Sequence, residues 1–600
     1  MSKRVLKMGW IVVAALLCVG LTILPACGGG GPVLPSEYIG SGALDGDGIP
    51  YNFFNDTNVR KGCCYAFNYP TYIASAMSGQ GAQRGSPVIE GLYGYNPAAS
   101  KYNYNITKAR ELFQTSPTWG NLSAIGFKFT LLYNVGNLPR KTACELLAEG
   151  LYAVSPNFQV SILPLAWSTI LGKISGTRDM PLYQVGWGAD YAHADNFIVP
   201  FMHSQGGYAA YQGYGDAALD ADIKAALEDS NSTTQLAKYY ALQERYYQDA
   251  PGIALAQPVA RRYFTGHISG FTYNPVDPGY SCNIRVLNKS NNGSSTVPYV
   301  NAGNFIEETI SEFDSLDPAW GYDTASGEQV QYIYETLLAF NGSSTSAFVP
   351  RLATNWSFNL SDNTLRFTIR TGVNFTRGHL MTPEDVEYSF ERAMTQDRAG
   401  GPCWMFFAPL LNCMAYTNTN WTAIDQSVEV DGGDVVFHLC GNWWEIIFKQ
   451  ILSGPWSSIV DKDWCIAHGD WNGTEADIVN HLHPALKGDT ALYDDNAMGT
   501  GPWKLDDWNH GVQIKVVKNT DYWDGTFVNP FDSYTTKSVN EYTQRKLDLL
   551  AGNADLIYVP ATMFTEMDFE APGKLNVWRN LATLSFDAFF FNMIIGGPPA

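Results

Sequence analysis

The 600-residue chain reads as an α/β protein of several domains. Two local patterns carry that reading. Leu365, Phe367 and Ile369 alternate with Arg366, Thr368 and Arg370, the two-residue period of a half-buried strand, and Asp362-Asn363 supplies a turn ahead of it. A helix follows directly: Thr382 is placed to cap, Pro383 suits the first helical position, and Asp385 completes a capping-box start. Val386, Phe390 and Ala393 then recur at helical spacing. Hydrophobic residues make up 46% and aromatic residues 14%, enough to fill large cores and still line a cleft.

At the N-terminus, Lys3, Arg4 and Lys7 precede an apolar run from Met8 to Leu24, and Leu24-Pro25-Ala26-Cys27 follows. This is the order of an export signal with a small-residue cleavage site. A cysteine directly after such a site resembles a bacterial-type lipobox. That resemblance implies a lipoprotein signal peptide over 1–27, lipidation of Cys27, and a flexible tether over 28–50 that opens with Gly28 to Gly31. Acyl chains on one residue leave a protein lipid-anchored to the cell membrane, facing the periplasm or cell exterior. No later stretch reaches the roughly 18 apolar residues of a spanning helix. The net charge of −20 argues against nucleic acid or an anionic membrane surface as partner.

Of the ten cysteines, Cys18 falls in the signal and Cys27 at the lipid site. Cys63, Cys64, Cys144, Cys282, Cys403, Cys413, Cys440 and Cys465 remain. Cys403–Cys413 and Cys440–Cys465 are close enough in sequence to pair outside the cell, and buried free thiols are the equal alternative. No CxxC spacing points to zinc or redox chemistry. Sequons such as Asn105, Asn231, Asn374 and Asn472 matter only in a host that glycosylates exported proteins.

Beyond these patterns, Val349 to Arg392 resembles the signature of the family 5 extracellular solute-binding proteins, the oligopeptide- and dipeptide-binding receptors of ABC importers. The matching elements are "LA..W", "F.IR.GV.F..G" and "TPEDV.YSFER". Gly499-Thr500-Gly501-Pro502-Trp503 with Asn519-Thr520-Asp521-Tyr522-Trp523 is similar to a later unit, and Leu550 to Asp555 to another. Phe590-Phe591-Asn592-Met593 looks like the strand that leaves the first lobe. The helix that follows it in the family is matched near the other end of the chain, by Asn58 to Gly62 and Tyr65 to Asn68. Tyr104 to Phe113, Gly186 to Tyr191, Asp220 to Ala226, Tyr239 to Pro251 and Gly270-Phe271 continue the match. The halves are therefore expected in exchanged order, as in a circular permutation, with the polar stretch Asn288 to Pro298 as the join. A rearranged gene is the equal alternative.

The resemblance implies a two-lobed periplasmic-binding-protein-like fold of the dipeptide-binding type, with mixed sheets and an extra domain. The expected organisation places the ligand-binding lobe 2 at 51–260, a return segment at 261–285 and a linker at 286–300. Lobe 1 takes 301–340 and 457–600, and the extra domain 341–456. One covalent connection between lobes, near Arg261–Gly270, is expected to remain.

For the site, the resemblance implies that Asp190 takes a peptide α-ammonium and that Trp187 forms an aromatic wall, with Tyr191 beside them. Gln184 stands where relatives can carry an arginine for the peptide carboxylate. An amide can bond a carboxylate but supplies no charge. Arg178 and Arg84 are expected to be solvated at the surface. Packing explains Tyr208, Tyr211, Tyr214 and Trp443-Trp444 more simply than ligand stacking. No HExxH, G-x-S-x-G or P-loop is present, and His481-x-His483 lacks a third ligand, so neither catalytic residues, metal nor cofactor are expected. The expected partners are a peptide or other small solute and an ABC permease with its ATPase, with the receptor a monomer and not an enzyme. A sugar or metal-complex binder, an extracytoplasmic carbohydrate-active enzyme and a rearranged, non-functional lipoprotein remain the alternatives.

Overall fold

Gly252–Thr265 is a 14-residue strand whose two halves serve different cores. In its first half, Ile253, Leu255 and Ala256 pack into one apolar cluster and Ala254 into another, one on each face of the sheet. In its second half, Phe264 joins a third cluster and Tyr263 a fourth. A computed structural model describes residues 37–276, 284–398, 401–413, 421–441, 444–482, 490–492, 496–528 and 530–597. All of them lie in one compact unit, Pro35–Ala600.

The central sheet has ten strands. Its main path runs Trp503–Asn509, Gln513–Lys518, Ser533–Ser538, Asn304–Thr309, Leu556–Ile557, Gly252–Thr265, Ser585–Phe591 and Leu182–Gly188. Parallel and antiparallel pairs are mixed: Asn304–Thr309 lies parallel to both of its neighbours, and the others on this path pair antiparallel. Leu575–Ala582 pairs with the second half of the long strand, from Leu575 opposite Thr265 to Ala582 opposite Val259. Ser585–Phe591 takes over along the first half, from Asp587 opposite Ala256 to Phe590 opposite Gly252.

The lobes are thus joined by two antiparallel strands that pass between them side by side. This corrects two expectations. Residues 585–595 belong with the 51–260 lobe, since Phe589, Phe591 and Ile595 are buried against the helices Thr57–Ala66 and Leu138–Val154. The second connection also remains covalent, because the 575–591 segment itself crosses. Beyond it, the Ile595 N–H donates to the Tyr51 carbonyl at 2.8 Å, just ahead of the Thr57–Ala66 helix.

Lobe 2 carries helices on both faces of its strands. Leu138–Val154 packs on the parallel pair Phe127–Asn134 and Phe158–Leu165, and the helices Asp195–Met202 and Ser232–Asp249 cover the other side. Within the stretch expected as a tether, Ile39 and Ile49 are buried and the Ile49 N–H bonds the Ile39 carbonyl at 3.0 Å.

In the extra domain, Ala353–Asn359, Thr364–Ile369, Asp434–His438 and Val428–Asp431 form a four-stranded antiparallel sheet. Leu365, Phe367 and Ile369 face its core, while Arg366 on the opposite face pairs with Asp431 and Asp434. The helix Pro383–Gln396 starts at Thr382, whose N–H donates to the Asp385 carboxylate at 2.8 Å. Its buried side, with Trp444 nearby, is continuous with the core of lobe 1.

One buried ion cluster joins the two. Arg392 on that helix donates to both carboxylate oxygens of Asp317, at 3.0 and 2.6 Å, and to Asp470 at 2.9 Å. Burial alone would raise the Asp317 carboxyl, but Arg392 beside it holds it below the ordinary range.

The polar join is bound to the protein along its length. Asn288–Lys289 pairs with Ile268–Ser269, and the buried Lys289 ammonium bonds Asp555 at 2.9 Å and the carbonyls of Asn301 and Asn304. Cys63, Cys64, Cys144, Cys403, Cys413, Cys440 and Cys465 are all free thiols, so neither expected disulfide forms. Cys282 lies outside the described residues, as do the 1–27 segment with Cys27, Trp443 and His483. No helix among the described residues is long and apolar enough to cross a membrane.

Replacing Arg392 with alanine leaves two buried carboxylates without their cation. Urea unfolding is expected to show a loss of about 3–5 kcal/mol. A loss under about 1 kcal/mol would mean that the cluster adds little to the join between domain and lobe.

Candidate functional site

Asp190 follows the strand Leu182–Gly188 at its C-terminal end, in the turn leading to the helix Asp195–Met202. Asn196 in that helix fixes the turn. Its Oδ1 accepts the Asp190 N–H at 2.9 Å and the Trp187 indole N–H at 3.3 Å, and its Nδ2 donates to Asp190 Oδ2 at 2.8 Å. The same carboxylate oxygen accepts the Tyr322 hydroxyl at 2.8 Å, and the Tyr322 oxygen in turn accepts the Trp404 indole N–H at 2.9 Å. Tyr322 and Trp404 come from lobe 1 and the extra domain, so this chain of bonds spans the cleft. Ala192 N–H to Gln450 Oε1 at 2.9 Å and Lys224 to Asn412 at 3.1 Å span it as well, and the lobes are closed on each other.

The cavity between them measures about 330 Å³ and is lined by Asp190, Trp187, Tyr322, Asp323, Arg140 and Arg398, among others. Burial pushes the Asp190 carboxyl up to about 7, against the hydrogen bonds from Asn196 and Tyr322, which favour the ionised form. Asp323 is pushed up to about 6 by burial and by the neighbouring Asp314. It caps the helix Thr324–Ile333 through the Ser326 N–H, and its Oδ2 is buried with no hydrogen-bond partner.

Two cations flank this acidic centre. Arg140 donates to Asn134 at 2.8 Å and stacks its guanidinium on Trp167. The Arg398 guanidinium lies over the Trp320 ring at 5.0 Å, with Nη1 3.6 Å from Asp314, and its buried Nε has no acceptor among the described residues. On the Arg398 side the cavity opens into an aromatic chamber of about 360 Å³, walled by Tyr208, Tyr211, Trp320 and Trp404. On the Arg140 side it continues into a chamber of similar size beside the crossing strands, where Arg261, Arg262, Glu307 and Asp587 are found. A binding site with separated charges and an aromatic wall suits a zwitterion with an apolar side chain better than a uniformly charged ligand.

Asp190 and Trp187 therefore lie in the cleft, and Trp187 meets Tyr208 and Tyr322 edge-on at 5.5 Å. Two other expected residues do not. Gln184 is on the face of its strand opposite Trp187, because three positions along a strand reverse the side. It is buried near Cys144, and its Nε2 has no partner. Tyr191 turns into the core and donates to Asp195 at 2.8 Å.

Arg178 and Arg84 are not solvated at the surface either. Arg178 is buried and donates to the carbonyls of Ala210, Tyr211 and Gly597, and Arg84 bonds Gln257, Tyr95 and Glu90. Tyr208 and Tyr211 line the aromatic chamber, whereas Tyr214 is buried against Asp249. Arg140, Tyr322, Asp323 and Arg398 escape sequence reading because they lie far from Asp190 along the chain. Asn196 is nearer, and a polar amide six residues after the acid was its one signal. His481 pairs with Asp477 at 3.3 Å, and no group of three metal-ligating side chains occurs among the described residues.

Residues 44–209 and 347–598 match the bacterial extracellular solute-binding proteins, family 5, middle. The dipeptide-binding protein DppE of Bacillus subtilis (strain 168) is 23% identical over 46% of this chain and 46% of its own length. Di/tripeptide-binding protein 4 of Pseudomonas aeruginosa (strain UCBPP-PA14) is 26% identical over 34% of this chain and 38% of its own. The chain spans less than half the length of the curated relatives it matches. The solved ABC transporter-associated periplasmic binding protein DppA of Helicobacter pylori, in complex with the peptide STSA, is 25% identical, with a TM-score of 0.34 over 45% of this chain and 49% of that one. With the two matched stretches together covering most of its length, the chain belongs to the family 5 bacterial extracellular solute-binding proteins.

Proposed function

We propose that this protein is the substrate-binding component of an ABC importer and captures short peptides between its two lobes. The observation that carries the reading is Asp190: a carboxylate pushed up to about 7, fixed by Asn196 and Tyr322 at the centre of a closed interlobe cavity. Such a group gains most from a ligand cation, because an unpaired charge withdrawn from water is costly. A peptide α-ammonium meets it there, displacing the Tyr322 hydroxyl or sharing the carboxylate with it. Arg398 takes the place expected of Gln184 and receives the peptide carboxylate, with a side chain in the aromatic chamber beside it. Binding pulls the lobes toward the closed form in proportion to the ligand's preference for it, and the closed form is what a permease and its ATPase recognise. The receptor acts as a monomer without chemistry on its ligand, held at the outer face of the cell membrane by a lipid on Cys27.

The reading includes the exchanged order of the halves. It is supported by the Ile595–Tyr51 hydrogen bond, which sets the end of the crossing strand against the segment that the family order places next. It is supported also by Asn288 to Pro298, which spans lobe 1 between the two stretches.

In calorimetric titrations, Asp190→Ala is expected to weaken a free-amino dipeptide by about 2–5 kcal/mol and leave the N-acetylated form unaffected. Arg398→Gln is expected to cost about 1.5–3 kcal/mol for a free-carboxylate peptide and little for its amide. Equal affinities of wild type for free and N-acetylated peptides would remove Asp190 from this role.

Binding should also depend on pH. An ammonium partner lowers the Asp190 pKa in the complex, so affinity is full above about 7 and falls roughly tenfold per pH unit below it. It falls again above roughly 8 as the peptide amine loses its proton. A flat profile from pH 5 to 7 would contradict the assignment. Peptide mapping by mass spectrometry of protein isolated from membranes is expected to recover an acylated peptide beginning at Cys27 and a peptide that crosses residues 285–303. Absence of the first refutes the anchor, and absence of the second refutes the exchanged order in one chain.

A further inference from the structure

A second cavity, of about 300 Å³, lies within lobe 1 and shares no lining residue with the cleft or its side chambers. Its walls come from the return segment at Asn274 and Arg285, the end of the helix Thr324–Ile333, the hairpin Leu338–Phe340 with Phe348–Pro350, and the turn at Ser458. We propose that it is a binding site for a small organic monocarboxylate, held by the Arg351 guanidinium and the Ser458 hydroxyl with its apolar part against Phe340 and Val349.

Charge accounting around the cavity leads there. Glu335, on its wall, accepts from Arg285 at 3.2 Å, Tyr522 at 2.7 Å, the Trp523 indole at 2.6 Å and Thr500 at 3.1 Å. It is saturated by these four, and Arg285 is its ionic partner. Asp524 behind the cavity is held below its ordinary range by its bond from Thr526, with Arg351 and Arg370 adding to it. Among the described residues, Arg285, Arg351 and Arg370 thus stand against two carboxylates, Glu335 and Asp524, which leaves one positive charge. That charge sits at Arg351, whose guanidinium makes no hydrogen bond or ion pair among the described residues. Burial and the nearby Arg285 hold its pKa below the ordinary arginine value, the mark of an undercompensated cation.

The Ser458 hydroxyl is a second unmet group: the residue is 4% exposed and Oγ has no partner. A carboxylate accepts from both, whereas a neutral molecule leaves the charge unmet. Phe340, Ala339, Val349 and Val286 make the remaining wall apolar, which favours an organic acid over inorganic phosphate. The volume admits several heavy atoms beyond the carboxylate.

Ligand-observed fluorine NMR with 4-fluorobenzoate tests this. It is run in the Arg398→Gln background so that the arginine assigned to the peptide carboxylate does not contribute, and the Arg351→Gln comparison within that background separates the second cavity from Arg140 in the cleft. The expected result is broadening of the 4-fluorobenzoate resonance by the Arg398→Gln protein. Further introduction of Arg351→Gln should weaken binding at least about tenfold, Ser458→Ala should weaken it less, and 4-fluorobenzamide should not bind. Asp190→Ala should leave 4-fluorobenzoate binding unchanged. No broadening of millimolar 4-fluorobenzoate by the protein, equal binding after Arg351→Gln, or equal binding of the benzamide would each overturn the proposal. Displacement of 4-fluorobenzoate by inorganic phosphate at lower concentration than by unlabelled benzoate would overturn the organic-acid assignment.

Discussion

The pairing of Gly252–Thr265 with the 575–591 segment is the constraint on which the rest depends. One strand runs unbroken from one lobe into the other, and two successive strands, Leu575–Ala582 and Ser585–Phe591, line it in the opposite direction. Backbone hydrogen bonds along a ribbon are directional and collectively strong. The ribbon therefore ties the lobe cores together, and the cleft lies beside it. Arg140, Tyr558 and Asp587 stand at the point where the ribbon and the cleft meet.

Within that space the electrostatics are arranged by what is withheld from water. Asp190 and Asp323 line one cavity and both are pushed toward neutrality by burial, while Arg140 and Arg398 stand at either side. Hydrogen bonds from Asn196 and Tyr322 orient Asp190 but do not neutralise it. A neutral donor satisfies the lone pairs of a carboxylate and leaves its charge for a cation to meet. The aromatic chamber next to it contributes apolar area without selecting one side chain.

The extra domain is bound to lobe 1 as a continuation of its core. Phe390, Phe437 and Phe448 pack together within it, and the Arg392 cluster crosses to Asp317 in lobe 1. Asp317 stands five residues before Tyr322, the residue that reaches Asp190 from the far side of the cleft. Anchoring that loop from behind gives the Tyr322 hydroxyl a defined position when the lobes close.

What the sequence determined by itself was local. The alternation of Leu365, Phe367 and Ile369, the cap at Thr382, the Gly186 to Tyr191 motif that holds Asp190 and the resemblance to the family all follow from patterns within a few tens of residues. A strand's two faces and a helix's first turn are set by short-range geometry. Only the tertiary structure decided that Ser585–Phe591 belongs with lobe 2, that Gln184 and Tyr191 turn away from the ligand space, and that Tyr322 and Arg398 enter it. It also decided that Arg178, two residues before Met180 and far from Gly597 in sequence, is buried where the two segments meet. These outcomes depend on which surfaces the crossing ribbon brings together. No short-range pattern encodes that, because the partners are hundreds of residues apart and meet only once both cores have formed.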